Sequence, residues 1–226
     1  MSDAREQILG ALRAGLGRGR LGEAERTALD SRLQTHPRNL VPARAAALDH
    51  AGQVALFVAM AQEVDATVAR VSSPSAVPAA VADYLSGQNL PARLVIAPDP
   101  QLDDIPWSDR PLLEIRQGMA EDSDAAGLTG CFAAIAETGT LMLISGRESP
   151  TRNNFLPDTH VAVLRASQVV AAYEDGWDRL RRRGAMPRTV NFITGPSRTG
   201  DIEQRLVLGA HGPRRLHIVL IDDTQS

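Results

Sequence analysis

Two short stretches of the chain concentrate the side chains able to do chemistry. The first runs from Thr194 to Pro213 and holds Gly195, Ser197, Thr199, Asp201, Glu203, His211 and Gly212. The second, Glu137-Thr138-Gly139-Thr140, sets a carboxylate and two hydroxyls between the apolar runs Phe132 to Ala136 and Leu141 to Ile144. Hydroxyls and free backbone N–H groups in a turn that opens a helix hold an anion well, a small carboxylate or a phosphate. A glutamate and a histidine supply groups that accept and return protons, Glu137 as acid, base or nucleophile and His211 as a second titrating group. Glu137 between two runs that read as buried strands needs partners or a role, because an unpaired buried carboxylate is costly.

The elements around these residues follow from pattern. Thr189 to Leu220 reads as strand, turn, helix, Gly-rich turn and strand, a βαβ unit. Gly195-Pro196 stops the first strand, and Asp201 and Glu203 fall in the first turn of the expected helix, where its dipole favours negative charge. That helix runs to Leu208 before Gly209 to Pro213 breaks it. Each feature also has a plain structural reading. Ser197 and Thr199 can be simple caps, His211 a loop residue, and Glu137 a solvated residue of a hairpin turn. The stretch is neither a P-loop nor a GxGxxG fingerprint.

Composition narrows the functional classes. The 226 residues are 43% apolar and 23% charged with a net charge of -3, which describes a globular chain with no implied affinity for nucleic acid. No apolar run is long enough to span a membrane and the first residues carry no signal-peptide core, so a cytoplasmic location is expected. One cysteine, Cys131, excludes an intrachain disulfide, a cysteine-built zinc site and an iron–sulfur cluster held by this chain's own thiolates. Five histidines show no metal-ligand spacing, and no metal is expected on them. Any cluster must belong to a partner.

Along the chain, an amphipathic helix carrying Ile8, Leu12 and Leu16 is followed by a Gly-rich, Arg-containing linker and a second short helix, Glu23 to Leu33. We take 1–43 as an N-terminal helical extension and 44–226 as the main domain. There, strands at Thr67 to Val71, Arg93 to Ala97, Leu112 to Arg116 and His160 to Leu164 alternate with helices at Arg44 to Val64, Ala76 to Leu85 and Ser167 to Arg183. Trp177 and Leu180 face the sheet in this reading. The polar segment Gly146 to Thr159 reads as a loop in which Arg147, Arg152, Asn153 and Asn154 are further candidate contacts for an anion or amide.

Taken together, GLTGCFAAIAETGTL at 127 to 141 and ITGPSRTGDIEQRLVLGAHGP at 193 to 213 resemble the LUD-domain family. The resemblance covers most of the length and is weakest over residues 20 to 60. It implies an α/β fold similar to the sugar-isomerase and CoA-transferase group, a mixed, mainly parallel sheet flanked by helices. It implies a role in bacterial L-lactate oxidation to pyruvate beside iron–sulfur subunits, with no cofactor in this chain. It also implies one site built from Glu137, Thr138 and Thr140 together with Gly195, Ser197, Thr199, Asp201, Glu203, His211 and Gly212. We expect these turns to meet at the carboxyl ends of parallel strands. Two alternatives remain open at this point: a stand-alone CoA-transferase-like or sugar-phosphate enzyme using Glu137, and a scaffold with a vestigial pocket.

Overall fold

The computed structural model describes residues 2–17, 19, 21–38, 40–202 and 205–224. The chain divides into two compact units, Met1–Leu40 and Val41–Ser226. The first contains helices α1 (Ser2–Gly15) and α2 (Glu23–Thr35), and Ile8, Leu12 and Leu16 of the amphipathic pattern are exposed.

The second unit opens with α3 (Ala43–Ala46) and α4 (His50–Glu63), whose first turn is capped by Asp49 accepting the Gly52 N–H at 2.8 Å. Strand β1 (Thr67–Val71), helix α5 (Val77–Gly87) and strands β2 (Arg93–Ile96), β3 (Glu114–Gln117) and β4 (Ala126–Gly130) follow. Then come β5 (Ala133–Ile135), β6 (Thr140–Ile144), α6 (Thr151–Phe155) and β7 (Thr159–Arg165). The unit closes with β8 (Val169–Val170), α7 (Tyr173–Arg182), β9 (Val190–Ile193), β10 (Arg198–Ile202), β11 (Arg205–Leu208) and β12 (Arg215–Ile221).

Six strands form a parallel sheet in the order β1-β12-β7-β4-β2-β3. Its central strands are apolar on both faces, as a sheet covered on both sides requires. Leu216, Ile218 and Leu220 of β12, with Ala162 and Leu164 of β7, pack on α4 and the β5–β6 hairpin. The alternate residues Val219, Ile221, Val161 and Val163 pack with Val77, Val81 and Leu85 of α5. A second sheet, β8-β5-β6-β9, lies on the α4 side. Its inner residues Ala134, Leu141 and Leu143 join that core, and its outer residues Ala133 and Met142 meet Leu180 and Trp177 of α7. The expected facing of Trp177 and Leu180 is found. The fold is α/β with a mainly parallel central sheet flanked by helices.

Three local expectations change. Residues 198–202 and 205–208 form an antiparallel hairpin, with Arg198 opposite Leu208 and Thr199 opposite Val207, where the sequence suggests a helix. The strand before it, β9, pairs antiparallel with β6 in the second sheet, so Thr189 to Leu220 is not a βαβ unit. The backbone itself commits the segment to this path: Ser197 donates its N–H to Pro213 O at 2.8 Å and accepts that of Gly209 at 2.9 Å. Helix α7 starts only at Tyr173, because Ala166–Gln168 form a 3-10 turn and Val169–Val170 pair with β5. Finally, β4, Ala126-Gly-Leu-Thr-Gly, is a fully buried strand that the sequence hid behind its two glycines. A Cβ on Gly127 would lie 2.9 Å from Asn153 O, so the glycine lets α6 press onto the sheet.

Candidate functional site

The register of the second sheet brings the two chemistry-bearing stretches together. Pairing β6 with β9 sets Leu141 opposite Ile193, which places Thr140 and Thr194 side by side at the end of the ladder. Their hydroxyls lie 2.7 Å apart. Thr138 Oγ1 is 2.7 Å from Thr140 Oγ1, and the Tyr173 hydroxyl is 3.1 Å from Thr138 Oγ1 and 3.0 Å from Thr140 Oγ1. Four hydroxyls thus form one cluster tying the β5–β6 turn to the start of α7 and the end of β9.

Both turns also press on the last turn of α4. Gly139, at φ +65°, would place a Cβ 2.3 Å from Ala61 N, and Gly195, at φ +74°, would place one 2.3 Å from Val64 O. Each is glycine because the backbone needs a left-handed conformation and because nothing larger fits there. Arg198 completes the junction by donating to Val64 O at 2.9 Å and pairing with the Asp65 carboxylate.

A cleft of about 240 Å³ opens beside this junction. Gly195, Pro196 and Ser197 form one rim and His211, Gly212 and Pro213 the other; the Ser197 hydroxyl accepts the His211 N–H at 3.3 Å. Phe155, Phe192 and Leu216 line it with apolar surface. Its polar floor comes from Asn154 and His160, at the end of α6 and the start of β7. His160 Nε2 lies 2.8 Å from Thr129 Oγ1, while His160 Nδ1 and Asn154 Oδ1 are buried without a hydrogen-bond partner among the described residues. Burial lowers the His160 pKa to about 4, so the imidazole is neutral at pH 7.

Of the candidates from sequence, Gly195, Ser197, His211 and Gly212 line this cleft. Thr138 and Thr140 stand behind it in the hydroxyl cluster, one hydrogen bond from Thr194 on the cleft wall. Glu137 is half-buried on the β5–β6 turn, its N–H bound to Ala171 O at 3.2 Å, and is not among the lining residues. Thr199 lies on β10, paired with Val207 and outside the lining. Asp201 is described in its backbone alone, and Glu203 lies outside the described residues.

The cleft sits at the amino ends of β7 and β12, not at the carboxyl ends of parallel strands as expected. The reason is topological, since the Glu137 and Gly195 turns belong to the second, largely antiparallel sheet. The anion site expected at a helix N-terminus is likewise absent, because a strand follows Ser197. Sequence reasoning passed over His160, whose signal was a lone polar side chain in the apolar run HVAVL, whereas Asn154, a candidate anion or amide contact in the sequence, does line the cleft, from the end of a short helix rather than from a loop.

Comparison with known proteins agrees with this architecture. A crystal structure at 1.70 Å of a DUF162 family protein from Deinococcus radiodurans superposes with a TM-score of 0.59 at 28% identity, covering 77% of this chain and 99% of that one. Lactate utilization protein C of Anoxybacillus flavithermus is 37% identical over 97 residues, 43% of this chain and 44% of the relative. The protein of the same name in Bacillus subtilis is 35% identical over 101 residues, 43% of this chain and 42% of the relative. The aligned part thus spans less than half of these curated relatives. The sequence pattern of the LUD domain matches residues 54–221, from within α4 to the last residue of β12, and the chain belongs to the LUD domain family.

Proposed function

We propose that this chain serves in bacterial L-lactate oxidation to pyruvate as a component without an iron–sulfur cluster of its own, working beside cluster-bearing subunits and binding a small organic acid in the cleft. The observation that carries the ligand reading is the pair of buried, unpartnered atoms His160 Nδ1 and Asn154 Oδ1 among the residues lining one cleft. Unpaired buried polar atoms are destabilising in the empty protein and become hydrogen-bond partners for a ligand.

The remaining groups fit a small acid. Ser197 supplies a hydroxyl donor and His211 an imidazole at the rim, both suited to a carboxylate, and Asn154 Oδ1 accepts from a ligand hydroxyl. Phe155, Phe192 and Leu216 take the alkyl part. The names of the relatives, lactate utilization protein C, favour this pathway, and the single cysteine, Cys131, is in keeping with iron–sulfur clusters carried by other chains.

The test is growth on L-lactate as sole carbon source. Deleting the gene is expected to abolish growth, the wild-type gene to restore it, and His160→Gln or Asn154→Leu to restore it poorly while melting near the wild-type temperature. Affinity capture of the full chain is expected to bring down cysteine-rich partners. Normal growth of the deletion strain, or capture without any iron–sulfur protein, would overturn the reading.

A further inference from the structure

A second cleft, of about 280 Å³, opens at the other end of the parallel sheet, beyond the carboxyl ends of β2 and β4. Ligands of open parallel sheets bind at that end of the strands. The cleft is lined by charges of both signs. Asp99 and Glu148 are its carboxylates, and Arg179 and Arg183, one helical turn apart at the end of α7, are its cations.

Asp99 is the telling residue. It is 7% exposed, accepts the Gln101 N–H at 3.0 Å, and pairs with no cation among the described residues. The nearby Arg165 is committed to Asp104 at 2.8 Å and to Gln101 O at 3.2 Å. A Cβ on Gly130 would lie 2.5 Å from Asp99 Oδ2, so the strand leaves its side-chain position to this carboxylate. Burial raises the Asp99 pKa, the hydrogen bonds it accepts from the Gln101 backbone and side chain partly offset the rise, and the neighbouring charge of Glu148 adds a smaller increment to it. A buried carboxylate that feels the charge of a second one and has no ion-pair partner among the described residues is stabilised by a cation that enters.

The two arginines call for an anion. Arg179 gives one N–H to Ser167 O at 3.3 Å and lies 5.6 Å from the Phe132 ring centre, and its planar guanidinium carries five N–H donors in all. Arg183 is exposed and makes no ion pair among the described residues. We propose that this cleft binds a small zwitterion, an α-amino acid or a close analogue, with its ammonium against Asp99 and Glu148 and its carboxylate against Arg179 and Arg183. The site is separate from the one lined by His160.

Calorimetric titration of the full chain with the standard amino acids tests this. One or a few are expected to bind saturably, and for the best of them the deaminated acid and the decarboxylated amine are each expected to bind at least about tenfold more weakly. Asp99→Asn, which keeps the shape and the Gln101 hydrogen bond, and Arg183→Gln, at an exposed position, are each expected to weaken binding about tenfold, while His160→Gln leaves it unchanged. Should Asp99→Asn fail to fold, Arg183→Gln decides. No amino acid binding up to about 10 mM, equal binding of the truncated analogues, or an unchanged affinity in Arg183→Gln would overturn the proposal.

Discussion

His160 and His217 are enclosed side chains in the middle of the sheet, each held by one threonine. His217 Nδ1 lies 2.8 Å from Thr67 Oγ1 and its ring stacks on Tyr84 at 3.8 Å, while His160 bonds Thr129. Burial lowers both pKa values to about 4 from 6.5. The unfolded chain therefore takes up protons on these rings as pH falls through 6.5, and the folded chain does so only near 4. Stability is fully present above 6.5 and is lost between 6.5 and 4, by about 3 kcal/mol for His160. The urea midpoint is expected to fall steeply over that window, and His160→Gln to flatten the fall even if it lowers the midpoint at pH 7. An equal slope in the variant would contradict the enclosed, neutral imidazole. The hydroxyl cluster makes a smaller prediction: Tyr173→Phe removes the oxygen shared by Thr138 and Thr140 and is expected to cost about 1 kcal/mol in denaturant unfolding.

At the level of elements, the last turn of α4 is the anvil on which the Glu137 turn and the Gly195 turn are both set. Gly139→Ala and Gly195→Ala each combine a left-handed backbone with a clash against helix backbone, and each is expected to cost about 3 kcal/mol or more. Gly184, also at positive φ but with nothing within 4 Å, supplies the control, and its alanine variant is expected to cost less than either. Most elements were legible because their pattern was local: the 160–164 and 216–221 strands are apolar runs, and α4 and α5 carry helical spacing. The Arg198 to Leu208 hairpin was not legible, because cap-like residues and a short apolar spacing describe a helix equally well. A helix of that length has little stability of its own, and pairing across the hairpin together with the Ser197 backbone bonds decides the outcome. β4 was hidden for the opposite reason, since Gly127 and Gly130 lower its strand propensity while the packing of Asn153 and Asp99 demands them. The candidate turns were visible as unusual chemistry, but their meeting depends on β6 pairing with β9, which no local pattern encodes.

At the scale of the molecule, two clefts lie at opposite ends of the parallel sheet, one lined by His160 at the start of β7 and one beyond the end of β4. Residues 41–226 hold all three hydrophobic clusters of the described residues, and this unit alone is expected to unfold in one cooperative transition followed by circular dichroism. A broad, probe-dependent transition would show that its layers are not one cooperative unit. The position of β12 has a further consequence, for biosynthesis. β12 lies between β1 and β7, and Thr67 meets His217 across 150 residues of chain. A ribosome adds about 5–20 residues per second, so β1 waits on the order of ten seconds or more for β12, its one sheet neighbour among the described residues. In the last part of that interval, once Thr159–Arg165 has been made and before Arg215–Ile221 follows, the nascent chain carries β7 with one edge open and the His160 cleft without Leu216. The sheet therefore closes late in translation, and holdase chaperones that shield open strand edges have their longest engagement there. A product stopped after Arg214 is expected to sediment as aggregate, whereas one carried through Asp222 remains in the supernatant.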